Sequence, residues 1–289
     1  MELLHLKYFQ TVAKTQHMTN AAKKLHIVQP ALSRVINSLE KELGVELFDR
    51  NGKTISLNEN GEMFLETVNE TLSVLENGVK KLLDSNNQST SEIKLLVLAG
   101  SNTLPNLILD FKKVYPETTF KLLQNVNGEI DFKDFDFCIS STLDKVINPF
   151  SITLLEEELF IGIHNSHPLA SKDSIFLEEI SNENFISFQS NKPFRTISHS
   201  LCQYAGFKPK IVFESDVPYI VRQLIVAGLG ISFIPEISWN IHEDDSLKLL
   251  KVIDPVCKRY INISWHPDNY MGKYAKEFRD FAVKYYSML

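Results

Sequence analysis

The chain has 289 residues, 44% of them hydrophobic and 23% charged, which are the proportions of an ordinary globular protein long enough for two or more domains. No run approaches the length and apolarity of a membrane span, and Met1 to Gln16 is amphipathic with charges throughout rather than a signal peptide, so a cytoplasmic location and no membrane partner are expected. The three cysteines, Cys138, Cys202 and Cys257, are far apart and odd in number, which argues against a disulfide framework.

The net charge of −6 is unevenly divided: residues 1–58 carry 8 Lys or Arg against 5 Asp or Glu, and the remainder 22 against 31. A basic head on an acidic body suits a chain whose N-terminal part meets nucleic acid. Residues 2–14 place Leu3, Leu6, Phe9 and Val12 or Ala13 on one stripe, which predicts a support helix. Residues 18–50 then read as two helices joined by a tight turn. Thr19 is the expected cap of the first, and the small pair Ala21 and Ala22 lets a neighbouring helix approach closely. In the second, Leu32, Val35 or Ile36, Leu39 and Leu43 face a core, while Gln29, Ser33, Arg34 and Asn37 fall on the outer side. Those side chains suit base edges and phosphates: Gln pairs with adenine, Arg with guanine, and Ser or Asn with either bases or backbone. Val28 offers no side-chain oxygen as a cap, so helix entry is expected at Gln29 and Pro30. Gly44 ends the helix and Phe48 is an anchor. Arg50, Asn51, Gly52 and Lys53 form a turn between short strands, with Ile55 and Leu57 inward and with Arg50 and Lys53 placed to meet phosphate.

The ordered motifs A-A-x-x-L, Q-P-A-L-S, L-E-x-x-L-G and L-F-x-R, followed by LNENG, resemble the winged helix-turn-helix of LysR-type transcriptional regulators. The family usually has Ser at Val28 and Thr at Asn58, and Asn58 remains a competent helix cap. Among these motifs the resemblance points to Gln29, Pro30, Ser33, Arg34, Asn37, Arg50 and Lys53 as the DNA-binding set.

From Asn58 to about Leu83 the chain reads as one helix, with Phe64, Val68, Leu72, Leu75, Val79 and Leu82 in a stripe that needs a cover, either another molecule or the body of the same chain. The resemblance implies that this helix dimerises. DSNNQSTS, Asp84 to Ser91, has no apolar residue and reads as a domain boundary. Beyond it, the apolar strand Ile93 to Gly100 is followed by Ser101, Asn102 and Thr103, a helix through Tyr115, and strands Thr119 to Leu123 and Phe135 to Ser140. Such a rhythm predicts an open α/β sheet with ligands at the strand ends. The segments LEEELFIGIHNSHPLA, FISFQSNKPFRTISHSLCQYAGF and VRQLIVAGLGISFIPE continue the resemblance into the family's effector domain, which looks like a periplasmic binding protein of two subdomains. Between the second and third strands QNVNGEIDFKD is shorter than the family's usual crossover helix, which implies an altered pocket wall there.

The expected fold class is therefore multidomain, α+β with α/β: a winged helix-turn-helix at 1–58, a linker helix and hinge at 59–91, and an effector domain at 92–289. Subdomain one would be 92–161 with 265–289, and subdomain two 162–264, joined by crossing strands near Phe160 to Ile163 and Ile261 to Trp265. The expected effector site is Ser101, Asn102, Thr103, Ser140 and Ser141 from one side, with Ser187, Phe188, Gln189, Arg195 and Thr196 from the other. Hydroxyls and backbone N–H groups at helix starts favour an anion, and Arg195 is the expected cation for a carboxylate or phosphate.

No H-E-x-x-H, G-x-S-x-G, phosphate-binding glycine loop or paired cysteines at metal-ligand spacing occurs, so neither an enzyme nor a metal or other cofactor is expected. A transport-type binding protein would leave the DNA-binding head unexplained. The expected function is sequence-specific DNA binding controlled by a small anionic metabolite, as a homodimer or homotetramer on an operator with dyad symmetry, with RNA polymerase a candidate further partner. The alternative is a cysteine-based redox sensor of the same family.

Overall fold

The computed structural model describes all residues except 52–53, 87–90, 125–131 and 241–244. It divides into two compact units, Met1–Ser85 and Asn86–Leu289.

The first unit holds helices α1 (Leu3–Thr15), α2 (Met18–Lys24) and α3 (Gln29–Leu43), strands β1 (Phe48–Asn51) and β2 (Thr54–Leu57), and the long helix α4 (Glu59–Ser85). Leu6, Phe9, Val12 and Ala13 of α1 pack on Ala21 and Ala22 of α2 and on Leu32, Ile36 and Leu39 of α3, all at or below 7% exposure. The small alanines permit that approach. Helix α2 is capped by His17, whose Nδ1 accepts the Asn20 N–H at 3.3 Å, and Thr19 lies inside the helix. This corrects the expected Thr19 cap: an imidazole nitrogen does the work of a side-chain oxygen. Helix α3 starts at Gln29 with Pro30 in its first turn and no side-chain cap from Val28, and Gly44 closes it at φ 75°. β1 and β2 pair antiparallel from Phe48↔Leu57 to Asn51↔Thr54. The expected contact residue Lys53 lies outside the described residues. Asn58 caps α4, its Oδ1 accepting from Gly61 N–H at 2.9 Å. Gly61 is fixed by crowding, since a Cβ there would lie 2.1 Å from the Leu47 carbonyl oxygen. The LNENG motif thus joins wing to helix through one cap and one close approach.

In the second unit, β3 (Glu92–Val97), β4 (Thr119–Leu123) and β5 (Phe137–Thr142) are parallel. Helix α5 (Leu104–Val114) follows β3. Of the expected altered wall, QNVNGEIDFKD at 124–134, residues 125–131 lie outside the described residues, while Gln124 lines a cleft of this unit and Phe132–Asp134 form a short 3-10 turn. Strand β6 (Ser151–His164) runs antiparallel to the last strand of the chain, Lys258–Ser264. After it come β7 (Ser174–Ile175), β8 (Asn184–Ser187), helix α6 (Pro193–Tyr204), β9 (Lys210–Glu214), helix α7 (Pro218–Val226), β10 (Ser232–Pro235), β11 (Leu247–Val252), β12 (Lys258–Ser264) and helix α8 (Lys273–Tyr286). The main sheet has the order β4-β3-β5-β12-β6-β11-β7, with β10 also on β6; β8 and β9 pair parallel beside it.

Two cores share this sheet. One gathers Ile93, Leu95, Leu107, Phe111, Phe137, Leu155 and Ile261 under α5 and α8, with Phe278 against Phe111 at 5.3 Å. The other gathers Leu159, Ile161, Phe185, Ile197, Leu201, Ile225, Phe233 and Cys257. Since Leu155 and Ile261 belong to the first core and Leu159 and Cys257 to the second, the chain passes between lobes at 156–158 and 258–260. That lies before the expected stretches Phe160 to Ile163 and Ile261 to Trp265. The reason is that β6 continues as one strand through the crossing, pairing β12 up to Glu158 and then β10 and β11. Near the second lobe's surface, GLGIS makes a tight turn, and a Cβ on Gly230 would meet the Asn184 carbonyl oxygen at 2.6 Å.

Candidate functional site

In the first unit the outer face of α3 presents Gln29, Pro30 and Arg34 exposed and Ser33 half-buried, opposite the buried Leu32, Ile36 and Leu39. A helix with its polar side free and its apolar side fixed can enter a major groove. Asn37 and Arg50 are arranged differently from the expected free contacts. Arg50 Nη2 donates to Asn37 Oδ1 at 2.5 Å and to Glu40 Oε2 at 2.8 Å. Glu40 is 8% exposed, and its Oε1 accepts the N–H groups of Leu47 at 2.9 Å and Phe48 at 3.3 Å. The Glu of L-E-x-x-L-G and the Arg of L-F-x-R therefore join the end of α3 to the wing. Arg50 is half exposed, so it can still turn a donor toward phosphate.

On α4 the stripe is divided. Val68 and Leu72 are buried in the head's own core, and Phe64 packs there with its ring 5.1 Å from Phe9. These three are corrected as seam residues, because the support helix already covers them. Leu75, Val79 and Leu82 are 45%, 51% and 62% exposed and lack such cover.

In the second unit a cleft of about 80 Å³ opens where β3, β8, α6, β12 and the turn after β10 converge. Ser101 lines it with Ala99 and Gly100, facing Phe188, Lys192, Phe194, Trp239 and Arg259. Of the ten expected effector residues, the structure brings only Ser101 and Phe188 to this cleft. Asn102 Nδ2 donates to the Trp239 carbonyl at 3.0 Å, tying the two lobes together. Thr103 Oγ1 donates to the Gly100 carbonyl at 3.0 Å and lies 2.6 Å from the Tyr286 hydroxyl. Asn102 is thereby committed to the contact between lobes, and Thr103 to the turn that follows β3. Gln189 is exposed, and its backbone N–H donates to Asp216 at 3.0 Å. Ser187 is buried and lines a second, smaller cavity that shares Phe188 and Phe194 with the cleft. Ser140 is half-buried and outside the cleft wall. Ser141 and Thr196 line a more open hollow beside the start of α6, where the buried Ser141 Oγ has no hydrogen-bond partner.

Arg195, the expected cation, is turned away from the cleft. Its Nε donates to His199 Nδ1 at 3.0 Å, and its Nη1 donates to the Phe188 carbonyl at 3.1 Å and pairs with Glu214 at 3.3 Å. Burial, and then the Arg195 charge, lower the His199 pKa below the usual histidine range, which suits its acceptor role. The cations that do reach the cleft are Lys192, the residue before Pro193 at the start of α6, and Arg259 of β12. Lys192 lies 3.6 Å from Asp216. Arg259 is 2% exposed and pairs with Glu157 of β6, also at 2%. Burial pushes the Arg259 pKa down, and the adjoining Glu157 carboxylate acts against that. A signal for both was present in the sequence. In LLEEELF and CKRYI, Glu157 and Arg259 stand at the inward phase of their strands, between Leu155 and Leu159 and between Cys257 and Ile261, where a charge must find a buried partner.

Among the described residues no cluster of His, Cys, Asp or Glu could hold a metal ion, and no helix is long and apolar enough to cross a membrane. Residues 3–62 match the model of the bacterial regulatory helix-turn-helix protein, lysR family, and residues 86–287 match that of the LysR substrate binding domain. The uncharacterised HTH-type transcriptional regulator YybE of Bacillus subtilis is 36% identical over 99% of this chain and 100% of its own length. A full-length OxyR variant from Pseudomonas aeruginosa superposes with a TM-score of 0.73 at 22% identity, over 100% of this chain and 95% of that one. Full-length CbnR complexed with its target DNA superposes with a TM-score of 0.64 at 20% identity, over 99% of this chain and 100% of that one. With a helix-turn-helix head, an α/β ligand-binding unit and both family models matched, the chain belongs to the LysR family of transcriptional regulators and is not an enzyme.

Proposed function

We propose that this regulator binds a dyad-symmetric operator as a homodimer, reads bases through Gln29, Ser33 and Arg34, and answers to a small anionic metabolite held in the cleft at Ser101, Phe188, Lys192 and Arg259. The observation that carries the DNA reading is the outer face of α3, where Gln29 and Arg34 stand exposed above a fully buried apolar side. The exposed Leu75, Val79 and Leu82 support a symmetric pairing of α4 helices, which would place two heads on one duplex. Contacts between effector domains would extend the dimer to a tetramer.

The thiols favour the small-molecule reading over redox sensing. Burial raises the pKa of Cys138 to about 11 and those of Cys202 and Cys257 to about 12, so none supplies a thiolate near neutral pH. A ligand acts on DNA binding only by preferring one arrangement of the two lobes. Selection of bound duplexes from a random library by the full-length protein tests the DNA reading. Enrichment of a two-fold symmetric sequence is expected, and a library that emerges unenriched would refute it.

A further inference from the structure

Arg259 has five N–H donors and a fixed planar fork. Its Nε donates to Glu157 Oε1 at 2.7 Å and its Nη2 to Ser238 Oγ at 2.6 Å. Ser238 Oγ in turn donates to Glu157 Oε1 at 2.7 Å, and Glu157 Oε2 accepts the N–H groups of Ile237 at 3.0 Å and Ser238 at 2.8 Å. The carboxylate is thus engaged by four donors and is itself fully buried, with its side chain at 0% exposure. The guanidinium is engaged on one side only. The little surface it keeps belongs to the cleft wall, where it sits 4.6 Å from the centroid of the Phe194 ring.

Around that point three rings form a triangle: Phe188 to Phe194 at 5.3 Å, Phe188 to Trp239 at 5.5 Å and Phe194 to Trp239 at 5.4 Å. The cleft therefore offers one rigid, buried cation at its floor and flat apolar surfaces beside it. A buried guanidinium with donors to spare fits a carboxylate, and the rings fit the apolar body behind one. Arg259 and Glu157 are also cross-strand partners on β12 and β6 at the passage between the two lobes. A charge landing on Arg259 is applied where the lobes are joined.

We propose that Arg259 is the anion anchor of the cleft, taking the carboxylate of a small molecule with a flat or compact apolar body, and that Glu157 and Ser238 are positioning residues that hold it. This deepens, and rests on, the reading of the cleft as the effector site.

The test is isothermal titration of the full-length protein with benzoate and hexanoate, each against its own amide, and with inorganic phosphate. Heat at millimolar carboxylate is expected, with little from the amides or phosphate. Arg259→Lys keeps the charge and the Glu157 partner but loses the fork, and should weaken carboxylate binding on the order of tenfold. The double variant Glu157→Gln, Arg259→Gln removes the pair together, so that no lone buried charge is left, and should abolish it. Thermal melts establish that each variant is folded; should the double variant not fold, Arg259→Lys carries the test. Absence of carboxylate binding, amides or phosphate binding as tightly as carboxylates, or undiminished binding in folded Arg259→Lys would each overturn the assignment. Enrichment of a symmetric operator by wild-type protein without carboxylate binding overturns Arg259 alone, whereas no enrichment at all overturns the regulator reading.

Discussion

Glu40 of the recognition helix and Arg50 of the first wing strand meet at 2.8 Å, with the carboxylate also holding two backbone N–H groups at the entry to that strand. The two partners are unequal. Glu40 is buried and satisfies groups that would otherwise be orphaned, whereas the half-exposed Arg50 side chain makes a solvent-screened pair. Glu40→Ala should therefore destabilise the protein by about 2 to 4 kcal/mol, the cost of stranding buried donors. Arg50→Ala should cost about 1 kcal/mol or less. Urea unfolding followed by circular dichroism measures both, and equal losses would contradict this division.

Arg34 is exposed on the outer face of α3 and should contribute to base choice. Arg34→Ala should lose about 1 to 3 kcal/mol on the selected operator and far less on random DNA, measured by fluorescence anisotropy at fixed salt. Equal loss on both would reassign Arg34 to the phosphates.

The two ends of the α4 stripe should respond differently to the same substitution. Leu75→Asp with Val79→Asp, at exposed positions, should leave the head folded and yield smaller species in sedimentation. Leu72→Asp, in the head's core at 5% exposure, should instead lower thermal stability, because it buries an unpaired carboxylate. An assembly unaffected by the double change would place the seam elsewhere.

Native thiols should resist labelling by disulfide reagents at neutral pH until denaturant is added, and peroxide treatment should leave operator binding unchanged. The same groups set an alkaline limit. Their pKa values rise from 9.0 to about 11 for Cys138 and to about 12 for Cys202 and Cys257, chiefly through burial. Above the unfolded value the unfolded state has released protons that the native state keeps, so stability is full below that pH and falls as pH rises toward the native values. Urea midpoints across the alkaline range should decline accordingly, and replacing Cys202 with Ala should soften the decline.

Much of the head was legible because short motifs and helical spacing fix local structure: the entry at Gln29, the stop at Gly44 and the cap at Asn58 follow from single residues. The partner of the α4 stripe was not, since only the folded head shows that Phe9 reaches Phe64. In the effector unit the strands read well, yet the cleft did not. Polar residues at a helix start suit a ligand and the protein's own backbone equally: Thr103 serves the turn, and Asn102 reaches the Trp239 carbonyl of the other lobe. Arg195 looked like the cation because it opens a helix, but its geometry depends on where Glu214 and the Phe188 carbonyl lie. Arg259 and Glu157 broke the apolar phase of their strands. A charge at an apolar phase on two strands is itself the sequence mark of a buried pair.

Strand β6 gives its first half to one lobe and its second half to the other without interruption. Its inward residues, Leu155, Glu157, Leu159 and Ile161, therefore keep one common phase across both cores. A single residue inserted between Leu155 and Leu159 would exchange the faces of everything on one side of it: apolar side chains of one lobe would turn to water while their outward neighbours turned in. Inserting two residues would restore the alternation and merely lengthen the passage. The molecule is in this sense keyed by parity, and a pair of variants with one and two added alanines should differ in whether the second lobe folds at all.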